Sequence, residues 1–281
     1  MNTLSRIRIL LACLICFSVL IPWSRFLRAG EPPSSSPCDS TVFCPGEDLV
    51  YEVSWARIKL GRIHIHTTPG PDGNATHFGS VAHVDSYPDL PLVDLHVIQH
   101  SSMDAFGYSL ATSSKEKRDK EWIAETLHNE SGNKRLIVER RNQVDLKTPP
   151  YGAPVFDTLT ITETPFYDGL SLLYFGRIHS RNYDSVNVPT YVYGKVGRTI
   201  LKRPERTYEV SIDAIDHPIR TVEIEGKALF KGIFGMTGVF RGWFSDDAAA
   251  VPIRAEMEVI LGHVTLELIS WQREGWTPPG K

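Results

Sequence analysis

The chain has few of the residues that announce chemistry. Four cysteines occur in 281 residues, and two of them, Cys13 and Cys16, fall inside an N-terminal apolar run. Only Cys38 and Cys44 remain, with no histidine beside them, which excludes a cysteine-rich zinc module. Neither a Gly-x-Ser-x-Gly elbow nor a Gly-Lys-Ser/Thr phosphate loop occurs, which removes the familiar serine hydrolases and P-loop nucleotide binders. Charge of one sign is also missing. The formal net charge is -3, and the short basic clusters at 115–120 and 134–141 are interleaved with acids, so no basic field favours nucleic acid. Beyond Pro22 no apolar run approaches the ~20 residues that span a bilayer as a helix.

What is present starts at the N-terminus. Arg6 and Arg8 stand in an acid-free opening stretch, followed by an apolar run from Ile9 to Ile21 that Pro22 ends. That is the charge and length pattern of an export signal. The small residues Ala29 and Gly30 come only after Trp23, Arg25, Phe26 and Arg28, so residues 1–30 read as a signal peptide or as a retained membrane anchor. Leu10-Leu11-Ala12-Cys13 has the look of a lipoprotein box, but most of the apolar segment follows Cys13, which argues against processing there. An exported chain belongs in the periplasm or cell envelope. In that oxidising setting Cys38 and Cys44 are candidates for a disulfide closing a small loop, the alternative being two free thiols. They lie in a Pro/Ser-rich linker over residues 31–45.

From residue 46 to 273 the pattern is that of a single β domain, with 274–281 as a tail. Leu49, Tyr51, Val53 and Trp55 alternate with Glu52 and Ser54; Ile58, Leu60, Ile63 and Ile65 carry the rhythm on. Gly70-Pro71-Asp72-Gly73-Asn74 is turn chemistry. Further strands are expected over 77–84, 93–103, 120–128, 134–140, 155–162, 187–193, 207–214, 220–226, 238–244, 252–259 and 264–271. One segment breaks this rhythm. Leu170, Leu173, Tyr174 and Ile178 recur at helical spacing behind Asp168, a natural N-cap, which predicts the main helix over 169–180. Many short strands and one helix predict a mainly β fold: a curved antiparallel sheet or half-open barrel with that helix packed on it.

Three constellations invite chemistry. His64 and His66 share one strand face, His83 with Asp85 and Asp94 with His96 repeat the spacing, and His100 is close behind, so a divalent metal site is one reading. Against it, His64 and His66 alternate with Ile63 and Ile65 and so take the solvent face with Arg62 and Thr68. Asp246 and Asp247 follow Trp243-Phe244-Ser245; adjacent carboxylates offer acid–base work, and a Ser-Asp-Asp turn between strands is the simpler reading. The glycine-rich run from Lys231 to Gly238 is no phosphate loop. Its Phe230, Ile233, Phe234 and Met236 read as core or as an apolar lip able to grip an acyl chain, with Trp243 nearby.

Together, Gly46-Glu47-x-Leu49-x-Tyr51-Glu52-Val53-Ser54-Trp55 with Gly61, Asp168-Gly169-Leu170-Ser171-Leu172-Leu173-Tyr174, and a C-terminal series have a familiar order. That series runs from Lys231-Gly232-Ile233-Phe234 through Gly238, Trp243-Phe244-Ser245-Asp246-Asp247 and Val251-Pro252-Ile253 to Gly262-His263-Val264. In this order they resemble the bacterial domain-of-unknown-function family 3108, exported envelope proteins. The likeness spans about residues 46–271, with 70–165 alike in strand rhythm only. The resemblance implies an antiparallel β fold similar to the half-open barrels of the lipoprotein-carrier class. That family has no agreed activity, so no catalytic residue transfers.

The function expected from all this is non-enzymatic. A curved sheet holds an apolar ligand or partner (lipid, acyl chain or lipoprotein) without a cofactor, through Phe230, Ile233, Phe234, Met236 and Trp243. The alternatives are a metal-dependent periplasmic hydrolase built on His64, His66, His83, Asp85, Asp94, His96 and His100, or a scaffolding protein of the envelope.

Overall fold

The computed structural model describes residues 38, 41–88, 90, 94–118, 120–130, 135–143, 152–160, 163, 165–181, 185–192, 194–229, 238–259 and 262–280. These fall within one compact unit, Ser36–Lys281. The strands are β1 (Asp48–Trp55), β2 (Ile58–Pro69), β3 (His77–Ser86), β4 (His96–Asp104), β5 (Ser109–Arg118), β6 (Glu121–Glu130), β7 (Arg135–Gln143) and β8 (Val155–Thr160). After the helix α1 (Gly169–His179) come β9 (Ser185–Val192), β10 (Lys195–Lys202), β11 (Thr207–Val210) and β12 (Ile219–Ala228). The last three are β13 (Val239–Ser245), β14 (Pro252–Val259) and β15 (Gly262–Gln272).

All these strands join one antiparallel sheet in the order β8-β7-β6-β5-β4-β3-β2-β1-β15-β14-β13-β12-β10-β9, with β11 beside β12. The expected mainly β architecture with one principal helix is therefore the observed one, as a curved sheet that stays open. Two strands had no sequence signal. The inward positions of β5 include Thr112 and Ser114, and β10 buries Thr199 beside Leu201, so hydroxyls stand where the alternation needs hydrocarbon.

Antiparallel order sorts the turns to two ends of the strands. β1, β3, β5, β7, β9, β12 and β14 all finish at one end of the sheet, called here the hairpin end. The helix lies at the other, closed end. Where the sheet's margins approach, side chains replace ladder hydrogen bonds. Tyr191 of β9 packs with Leu127, Leu136, Val138 and Phe166, and its hydroxyl donates to Glu125 at 2.6 Å. Glu125 also accepts from Arg140 Nε at 2.8 Å.

The largest core cluster joins Leu49 and Tyr51 of β1, Ile65 of β2, Ile219, Val251, Ile253 and Leu268 with Leu170 of the helix. On the neighbouring wall Gly226 is required by packing. A Cβ there would meet the Phe240 ring at 1.9 Å, so the bare backbone lets that ring lie flat across β12. Cys38 and Cys44 are joined by a disulfide.

Candidate functional site

The helix is set by its own sequence. Asp168 accepts from the backbone N–H of Leu170 at 2.9 Å and of Ser171 at 3.1 Å, while the Ser171 hydroxyl accepts from the Asp168 N–H at 2.7 Å. This reciprocal cap satisfies donors that a helix start leaves orphaned. The same carboxylate accepts from the hydroxyls of Ser101 at 2.6 Å and Ser109 at 2.7 Å, tying the helix to β4 and β5. Burial pushes the Asp168 carboxyl above its ordinary value of 3.8, and the four donors only partly offset that.

One turn on from the helix centre, Arg177 faces inward. Its Nη1 and Nη2 donate to the two oxygens of Glu47 at 2.6 and 2.8 Å. The Glu47 carboxylate also accepts from Arg273, and Arg177 caps the carbonyls of Ala249 and Ala250 at 3.1 and 3.2 Å. Burial would raise the Glu47 carboxyl, but Arg177 and then Arg273 outweigh it and hold it below the ordinary range. Tyr174 completes this base, its hydroxyl 2.5 Å from that of Thr67. These groups are held together by the Glu47 carboxylate that both guanidiniums share. Their role is to seat the helix across the closed end.

Above that seat lies a cavity of about 450 Å³. Its floor is Gly169, Leu170, Leu172, Leu173 and Gly176 of α1, with Asp168 and Gln99 as a polar corner. Its walls are Ile63 and Ile65, Ala82 and Val84, Val97, Leu127, Leu201, Ile224, Phe240 and Phe244, Ala255 and Met257, and Leu266. Strand alternation delivers these side chains to the concave face. Near the hairpin end Ala228, Gly238 and Val239 bound the cavity. This volume lies in the range of small-molecule pockets, and the lining is mostly hydrocarbon. Such a space suits an apolar ligand far better than a reaction that needs charge.

The residues expected from the sequence fall otherwise. Phe230, Ile233, Phe234 and Met236 lie outside the described residues, although Ala228 and Gly238 on either side of them reach the cavity. Trp243 must be corrected. Phe244 and Gly242 line the cavity, so Trp243 between them points to the opposite face of β13, where it stands across from Glu223 and Arg254. Asp246 accepts from Arg181 at 2.5 Å and Arg220 at 2.8 Å. Asp247 holds the turn, accepting from the N–H groups of Ala249 and Ala250 at 3.0 Å each.

The histidines share the convex face but do not converge. His64 stands opposite His83 across β2 and β3, with ring centroids 6.4 Å apart. His64 and His66 instead reach Asp48 at 2.6 and 3.4 Å, and His96 reaches Asp85 at 2.7 Å and Asp94 at 3.1 Å. His100 lies on the next strand, facing Val81. A ladder spreads side chains over a surface, whereas a metal needs three or four donors around one point. Among the described residues no group of three or more His, Cys, Asp or Glu is placed to hold a metal ion.

Sequence reasoning missed most of the cavity wall and all of the Glu47–Arg177–Arg273 base. The wall was legible in part, since Ala255 and Met257 alternate with Arg254, Glu256 and Glu258. No local signal marks Glu47, whose partners lie 130 and 226 residues away.

No family model and no curated protein matches the chain. Among solved structures, a β-barrel-like protein of domain of unknown function DUF1849 from Brucella abortus superposes with a TM-score of 0.54 at 10% identity, covering 83% of this chain and 99% of that one. That likeness places the fold with β-barrel-like proteins and shows nothing of function. LprF from Mycobacterium bovis aligns with 14% identity over 86% of this chain and 93% of that one, but its TM-score of 0.24 carries no argument.

Proposed function

We propose that this chain is an exported envelope protein of family 3108 that holds the acyl chain of a lipid or lipidated partner in the cavity above α1, without catalysing a reaction. The observation that carries this reading is the cavity of about 450 Å³ with its mostly hydrocarbon lining. An empty apolar space of that size forfeits dispersion attraction along its whole wall, and an apolar guest restores it. Of the carboxylates that reach the cavity, Asp168 is held by its cap and the two serines, and Glu125 by Tyr191 and Arg140. Export is supported by the basic, then apolar N-terminus and by a disulfide that persists in oxidising compartments.

The test is a titration with a fluorescent fatty acid, repeated on Ala255→Trp, which places an indole in the cavity from β14. Saturable binding by the native protein and its loss in a folded Ala255→Trp support the reading. No binding by the native protein, or equal binding by both, overturns it.

A further inference from the structure

Eight large hydrophobic residues stand exposed among those described, and their distribution is uneven. Phe106 and Leu110 belong to the closed end. The other six are Ile58 (50% exposed), Val155 (65%), Phe156 (59%), Val196 (40%), Leu229 (50%) and Val239 (37%). Each is one of the first two residues of a strand leaving a hairpin-end turn or, for Leu229, directly follows β12 into such a turn. They flank four different strand-to-strand connections at the end where Ala228, Gly238 and Val239 bound the cavity. Val239 belongs to both sets: it lines the cavity and is exposed at the rim. Val239 therefore links the cavity wall to the exposed apolar side chains of the hairpin end.

From this continuity we propose that the hairpin end docks on a lipid bilayer, with the rim side chains entering its surface. The inference rests on the proposed apolar ligand for the choice of occupant. An acyl chain crossing water loses about 0.8 kcal/mol per exposed methylene, so a cavity that exchanges acyl chains gains from a mouth that meets the lipid phase directly. The charges at this end are of both signs. Arg57, Lys59 and Lys120 stand there with Asp94, Glu121 and Glu258, all exposed. A zwitterionic surface matches such a collar, and the binding needs no anionic lipid.

The test is flotation of the Ser36–Lys281 unit, which holds every described strand, the helix and the disulfide, with phosphatidylcholine vesicles. The unit floats with the vesicles, and affinity changes little between low and high salt. Phe156→Asp with Leu229→Asp lowers it by about tenfold or more, because two apolar side chains no longer enter the lipid, while Phe106→Asp at the closed end leaves it unchanged. Circular dichroism confirms that each variant is folded, and single variants replace the pair if it is not. Absence of flotation, or equal weakening by the rim and closed-end variants, overturns the proposal. Fatty-acid binding measured without vesicles reports on the cavity separately. Flotation without it keeps the docking surface and removes the ligand reading, and fatty-acid binding without flotation does the reverse.

Discussion

At the closed end of the strands, Glu47, Arg177 and Arg273 are almost entirely buried and pair through one carboxylate, whereas the cavity beyond the helix is lined mostly with hydrocarbon. The same helix serves both. Its Arg177 and Tyr174 lock into the polar base, while Leu170, Leu172 and Leu173 form the cavity floor. The contrast shows how an open sheet keeps a cavity from collapsing. Buried charges with fixed hydrogen-bond geometry set where the helix sits, and apolar packing alone would draw it further in. Buried charged contacts are concentrated at one end and space is kept toward the other.

Breaking the closed end has the largest expected effect. Glu47→Ala leaves two buried guanidiniums without their carboxylate and costs about 3–5 kcal/mol in urea denaturation. A cost below about 1 kcal/mol would mean that the base is dispensable. Opening the Cys38–Cys44 bridge by Cys44→Ser releases a short loop that packs against this base, and the expected loss is about 2 kcal/mol.

Asp168→Ala removes the helix cap, with an expected loss of about 1–2 kcal/mol. The two buried carboxylates also respond to pH in opposite senses. Glu47 is held below 4.5, so its contribution is complete above that value and drains as the pH falls beneath it. Asp168 is pushed above 3.8, so its contribution is complete below that value and is lost as the pH rises through its raised value. The stability of the native protein relative to Asp168→Asn should therefore decline as the pH rises above 3.8. A widening advantage would place the Asp168 shift in the wrong direction.

The cavity half should behave differently. Ala255→Trp fills existing space, so its effect on unfolding free energy is expected to stay within about 1 kcal/mol although ligand binding is lost. A destabilisation as large as that of Glu47→Ala would show that the cavity is packed core and would erase the distinction between the halves.

This division also explains what the sequence revealed. Alternation in Leu49, Tyr51 and Val53, and in Ala255 and Met257, marks strands whose inner face meets hydrocarbon, and Asp168 with helical spacing behind it marks α1. Both are local signals. Strands β5 and β10 escaped because Thr112, Ser114 and Thr199 occupy inner positions without an apolar label. Trp243 drew attention as a large aromatic next to a glycine-rich run, but the parity of β13 gives the cavity to its neighbours. Glu47 could not be found at all by local reasoning, because its burial is intelligible only when the distant Arg177 and Arg273 are brought beside it.

The central claim is that the space above α1 receives an acyl chain, and a crystal of the protein grown with a bromine-tailed fatty acid locates it directly. An anomalous bromine peak is expected inside the cavity, among Leu173, Ile224 and Met257. A bromine bound only on the outer face of the sheet, or a cavity closed by repacked side chains, would contradict it.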